Sequence, residues 1–240
     1  MIVLDVQDCH SFYGKSHILQ GVTLRLEKGS FVCLLGRNGV GKTTLLHSIM
    51  GMVQPRSGRI TVNGEDLTGL EPFQIARKGV GLVPETRRIF PSLTVEQNLL
   101  MGMLGKKSKD RVRTEEDWTI DRIYTKFPRL EERRTQRGNV LSGGEQQILT
   151  IARTLLGNPE VLLVDEPTEG LAPVIAKAVM EMLTHINASG VTILIVEQNM
   201  KMAVKHAGFF YVMGKGTMVF EGDKDALLAN EGVKKQYLEI

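Results

Sequence analysis

Residues 36 to 44 read Gly-Arg-Asn-Gly-Val-Gly-Lys-Thr-Thr and carry the most specific chemistry in the chain. They fit G-x-x-x-x-G-K-T, a loop that cradles phosphate. Gly36, Gly39 and Gly41 let the backbone curl so that several N–H groups point inward at phosphate oxygens. Lys42 adds a point charge for the β- and γ-phosphates, and Thr43 offers a hydroxyl to Mg²⁺. From Thr44 onward, Leu-Leu-His-Ser-Ile-Met continues as a helix whose positive end faces the anion. A second reactive pair is Asp165-Glu166, at the end of an apolar run. In phosphate-loop enzymes an acid here orders Mg²⁺ and its waters, and a neighbouring carboxylate polarises the attacking water. Two adjacent carboxylates are costly to bury without a cation. The third stretch is Leu141-Ser142-Gly143-Gly144-Glu145, where a capping box, two glycines and a hydroxyl make a second anion-binding helix end. Taken alone, that pattern describes a well-capped helix equally well. Tyr13, in Phe12-Tyr13-Gly14, offers either a face for a purine base or an aromatic packed beside a turn.

The elements that position these groups follow from the apolar pattern. Residues 31–35 and 161–165 are wholly apolar up to the final acid, as in parallel strands covered on both faces. Residues 2–6 and 22–26 alternate like half-exposed strands, and 60–62, 80–83 and 191–196 read as further strands. Thr94 and Gln97 predict a capping box opening a helix through Met103. Residues 106–117 are strongly charged and predict a solvated loop or helix face. Ile120, Ile123, Tyr124 and Phe127 mark an amphipathic helix that Pro128 closes, and Ile148, Ile151, Ala152 and Leu155 mark the buried face of the helix after Ser142. Ile175, Val179, Met182, Leu183 and Ile186 mark another, and 209–213 with 217–221 form a terminal hairpin. Strands thus give way to helices within a single 240-residue domain. A helical subdomain, 86–158, is set into a core made of 1–85 and 159–240.

Composition narrows the class. Thirty basic against twenty-seven acidic side chains leave +3, too little to argue for nucleic acid. No run of eighteen apolar residues occurs, and the first residues lack signal-peptide features, so a soluble cytosolic chain is expected. Cys9 and Cys33 lie in apolar segments and read as core thiols of a reducing compartment. The five histidines are scattered without metal-ligand spacing.

In order, the phosphate loop, Leu-Ser-Gly-Gly-Glu and the apolar strand ending in Asp165-Glu166 resemble the nucleotide-binding subunit of an ATP-binding cassette (ABC) transporter, over essentially the whole chain. The resemblance implies an α/β fold: a P-loop NTPase core with a mixed parallel sheet, an N-terminal antiparallel β portion and the inserted helical subdomain. It implies ATP hydrolysis with Mg²⁺. Nucleotide contacts are implied at Tyr13, Gly36, Asn38, Gly39, Gly41, Lys42, Thr43, Thr44 and Glu85, with metal contacts at Thr43, Asp165 and Glu85. Catalytic roles are implied for Glu166, Lys42 and Gln198. In this family Ser142, Gly143 and Gly144 of one subunit would close over the γ-phosphate held by the loop of another, in a head-to-tail dimer.

Three positions depart from the common pattern: Glu85 stands for a glutamine, Gln198 for a histidine and Ala172 for an aspartate. Glu85 would repel phosphate but can meet a cation or water, and Gln198 can hydrogen-bond but cannot carry a proton. Together with the stretches 83–95, 170–173 and 196–199, these departures resemble the ATPases of bacterial importers for branched-chain amino acids and their urea and short-amide relatives. That implies a second ABC ATPase, identical or not, integral permease subunits and, indirectly, a periplasmic solute-binding protein. It also implies a place on the cytoplasmic face of the inner membrane, held there by the permease. The alternative is a soluble ABC ATPase acting on nucleic acid or ribosomes. Such proteins usually carry two cassettes or a long coiled-coil insertion, and this chain shows neither.

Overall fold

The computed structural model describes residues 1–104 and 117–238. In chain order the strands are β1 (Ile2–Tyr13), β2 (Ser16–Glu27), β3 (Phe31–Leu35), β4 (Ser57–Val62), β5 (Glu65–Asp66), β6 (Val80–Val83), β7 (Val161–Asp165), β8 (Thr192–Glu197), β9 (Phe209–Gly214) and β10 (Thr217–Asp223). They build two sheets, β2-β1-β4-β5 and β10-β9-β3-β8-β7-β6. The first is antiparallel; the second is parallel from β9 to β6, with β10 antiparallel at its edge.

The parallel strands are almost wholly apolar, apart from Thr192 and the terminal acids Asp165 and Glu197, as expected where both faces are covered. Phe31, Cys33 and Leu35 of β3 join one core with Leu162, Val164, Ile193 and Ile195. Val32 and Leu34 turn to the opposite face with Leu163, Leu194 and Val196, where the helix after the phosphate loop and the antiparallel sheet cover them. Each such aliphatic side chain contributes about 1.5–3 kcal/mol on burial. Cys9 and Cys33 are free and buried, as expected.

The helices are α1 (Lys42–Ile49), α2 (Pro72–Arg77), α3 (Val95–Met103), α4 (Ile120–Lys126), α5 (Pro128–Glu132), α6 (Gly143–Leu155) and α7 (Pro173–Ala188), with shorter turns towards the C-terminus. Between β6 and β7 the described residues form helices and connecting loops, with no strand among them beyond one isolated bridge, Thr94 to Arg137. Both expected capping boxes, Thr94 with Gln97 and Ser142 with Glu145, are formed.

Four local expectations change. The first hairpin runs well beyond 2–6 and 22–26, because bulges around Asp8, at φ +47°, interrupt the alternation without ending the pairing. Pro128 opens α5 at its first helical position rather than merely closing α4. On α7 the buried stripe is Ala176, Val179, Met180, Leu183 and Ile186, with Ile175 left 39% exposed. The charged segment 106–116 lies outside the described residues, while Asp117 at its end is buried rather than solvated.

Candidate active site

The phosphate loop hangs between β3 and α1. Gly36 is required at its start: with φ +154°, any Cβ there would come 2.6 Å from the Met213 carbonyl oxygen on the neighbouring β9. Gly41 caps α1 without a side-chain hydrogen bond, which leaves the first N–H groups of the helix directed at the loop. Lys42 is buried, and its Nζ donates to the carbonyls of Gly36 (2.8 Å) and Arg37 (3.0 Å). It also pairs with Glu166 Oε1 at 3.1 Å. A cavity of about 330 Å³ opens over the loop, lined by Ile18, Asn38, Gly39, Gly41, Lys42, Thr43, Thr44, Glu85, Glu166 and Glu169. Most of the residues expected at the nucleotide are therefore gathered in one place.

The acids come from the end of β7 and the turn beyond it. Asp165 is buried, and its Oδ1 accepts from Thr43 Oγ1 at 3.2 Å. Burial pushes its carboxyl up to about 6; the Thr43 hydrogen bond opposes this, while the charges of Glu166 and Glu85 add to it. A hydroxyl and a carboxylate side by side, with Glu85 on the same cavity, are hard oxygen donors of the kind Mg²⁺ takes. The donor set fits that ion, and a cation here would relieve the buried acid.

Glu166 adopts φ +42° and is held at both oxygens, by Lys42 at Oε1 and by the Gln198 amide, which donates to Oε2 at 2.6 Å. Burial raises its carboxyl, but hydrogen bonds from Glu169 and Gln198, with the Lys42 charge, outweigh this and leave it below the ordinary value. Glu169 moves the other way, up to about 6, chiefly because it shares a hydrogen bond with Glu166. Glu197 is also raised, by burial first, while Thr168 Oγ1 donates to its Oε1 at 2.7 Å. Reading the sequence assigned no role to Glu169 or Glu197. The only signal was spacing, three residues after Glu166 and one before Gln198.

Tyr13 sits at the β1–β2 turn, 51% exposed, on the hairpin whose Ile18 lines the cavity. Ser142, Gly143 and Gly144 begin α6, and none of them lines the cavity of its own chain. The Ser142 N–H and Oγ both donate to Glu145 Oε2 at 2.9 Å, and Arg133 pairs with Oε1 of the same carboxylate at 2.8 Å. Ala172 stands at the N-terminus of α7 and gives it no side-chain cap.

A family model described as ABC transporter matches residues 19–169. The chain belongs to the ABC transporter family. This ABC cassette is 42% identical to the high-affinity branched-chain amino acid transport ATP-binding protein BraG of Pseudomonas aeruginosa, over 98% of the chain and 99% of that protein. It is 34% identical to the probable branched-chain amino acid transport ATP-binding protein LivF of Archaeoglobus fulgidus, with 95% of each covered. The lipopolysaccharide export ATP-binding protein LptB of Escherichia coli K12 shares 31% over 99% of the chain and 98% of its own length. Among solved structures, a nucleotide-free ATP-binding cassette from an ABC transporter superposes with TM-score 0.83 at 26% identity, covering 97% of both chains. The ABC cassette is thus an ATP-binding ATPase with the mixed sheet and antiparallel β portion of its family. Among the described residues no helix is long and apolar enough to cross a membrane.

Proposed function

We propose that this ABC ATPase energises the import of branched-chain amino acids. The observation that carries the reading is its end-to-end similarity to BraG. Lys42 and the loop amides hold the β- and γ-phosphates of ATP, Thr44 and Asn38 complete the loop, and Tyr13 stacks on the adenine. Thr43, Asp165 and Glu85 hold Mg²⁺, which when bound neutralises phosphate charge and orders water. Glu166 accepts the proton of the attacking water, and Gln198 orients it. Ser142, Gly143 and Gly144 lie off the loop cavity of their own chain, so they serve the loop of a second ABC ATPase in a head-to-tail dimer.

The helices of 86–158 act as a subdomain that relays closure of this dimer to permease subunits. A groove of about 480 Å³ suits that contact. Met52 and Phe73 line one part and Phe90, Met101 and Arg153 another, and Phe73 is 58% exposed. Arg153 Nη1 is buried there without a hydrogen-bond partner among the described residues, ready for a carbonyl or carboxylate of an entering permease helix. Attachment through the permease places the chain on the cytoplasmic face of the inner membrane, with a periplasmic solute-binding protein delivering the cargo. The test is copurification of the native complex, followed by uptake into proteoliposomes. ATP-dependent uptake of leucine, isoleucine or valine supports the reading. Uptake of urea or short amides alone, export of lipid, or copurification with ribosomes or DNA overturns it.

A further inference from the structure

The structure pairs two of the five histidines across the first hairpin, away from the acids described above. His10 on β1 and His17 on β2 approach with Nδ1 of one 3.0 Å from Nε2 of the other, their rings inclined by 30°. His10 Nε2 in turn donates to Asp8 Oδ1 at 3.2 Å. A carboxylate only accepts, so His10 Nε2 carries a proton. With Nδ1 bare, the 3.0 Å contact is a hydrogen bond donated by His17 Nε2–H. An ion taking both nitrogens displaces that proton and leaves His17 neutral with its proton on Nδ1. We propose that His10 Nδ1 and His17 Nε2 form a two-nitrogen binding site for a divalent transition-metal ion of the zinc, nickel or copper class, with Asp8 as the outer partner.

Two imidazole nitrogens about 2.0–2.1 Å from one ion, at angles between square and tetrahedral, lie about 2.9–3.4 Å apart. The observed separation falls in that interval. The pair is also built. Asp8 is pinned in a bulge by its own N–H, which donates to Thr23 Oγ1 at 3.0 Å. Gly21 makes the room: a Cβ there would come 2.9 Å from Asp8 Oδ1 and 3.5 Å from His10 Nε2. His17 lies flat on Phe12, with centroids 4.1 Å apart and planes within 6°, and the Arg56 guanidinium also stacks on Phe12, 4.0 Å from its centroid. A carboxylate that fixes the tautomer of a ligating histidine is the usual outer shell of such sites. No cluster of three or more His, Cys, Asp or Glu side chains fit for a metal occurs among the described residues, so water fills the remaining positions. His17 is exposed and admits it. The ion would staple β1 to β2 four residues or fewer from Tyr13.

The experiment titrates zinc chloride into the full-length, tag-free, EDTA-stripped protein by calorimetry, with excess Mg²⁺ and no free nucleotide. One equivalent is expected to bind and to raise the melting temperature. His17→Ala and His17→Gln each abolish that equivalent, and Asp8→Asn weakens it about tenfold or more. Substoichiometric Cu²⁺ broadens the ring NMR signals of His10 and His17 before those of His47, His185 and His206. The proposal is overturned by an affinity unchanged in both His17 variants, by earlier broadening of another histidine, or by no heat up to about 1 mM zinc.

Discussion

In the proposed mechanism Glu166 is the general base, and its two oxygens are already held by Lys42 and Gln198. A glutamine cannot take a proton, but its amide aims the carboxylate and, together with Glu169 and Lys42, keeps it ionised against the cost of burial. Glu166→Gln is expected to lower the kcat of the assembled complex by about 10²–10⁴-fold while ATP binding persists; unchanged turnover would refute the assignment. Gln198→Ala removes one charge-assisted hydrogen bond, so kcat should fall about 10–100-fold with little change in the KM for ATP. Steady-state kinetics separate that from a phosphate contact, which would raise KM. Asp165 titrates at about 6 in the folded chain against an ordinary 3.8, with burial the main cause. The folded state therefore binds a proton that the unfolded chain releases, and this contribution is present in full below 3.8 and lost as pH rises through about 6. Asp165→Asn should stabilise the metal-free protein by on the order of 3 kcal/mol near neutral pH, and hardly at all below about pH 4, in urea denaturation.

At the scale of elements, the site depends on how helices begin. The N-terminus of α1 is left uncapped for phosphate, whereas α6 is closed by Ser142 and Glu145, with Arg133 behind them. α7 starts at Ala172 with Pro173 next and no side-chain cap, although the backbone of Ala172, at φ −59° and ψ 144°, is non-helical as a cap requires. Ala172→Asp should therefore add about 0.5–2 kcal/mol to stability, measured by urea denaturation of the nucleotide-free chain. No gain would mean that the aspartate carboxylate does not reach the α7 amides. The start of α6 was legible in the sequence, because a capping residue and its partner three positions on act locally. The ends and tilts of strands were less so: the bulge at Asp8 breaks the alternation that would have joined 2–6 to the rest of β1.

For the whole molecule, the permease contact proposed above is the groove between Phe73 and Met101. Phe73→Glu should reduce copurification of permease subunits at least about tenfold, since a charge placed in an apolar contact costs several kcal/mol. ATP binding by the isolated chain should remain. Retained assembly would place the contact elsewhere.

What the sequence determined by itself were features written in short windows: the loop from Gly36 to Thr44, the capped Ser-Gly-Gly helix, the two-sided apolar strands, and hence the family. Only the tertiary structure decided which side chains meet across long gaps. Gln198 lies 32 residues from the Glu166 it holds, and Thr43 lies 122 from Asp165. Glu169 gains its shift from a neighbour, and His10 finds His17 only because a hairpin folds one strand over the other. Pattern and propensity act within a few residues, whereas hydrogen bonds and burial depend on distances that exist only once the sheets have packed.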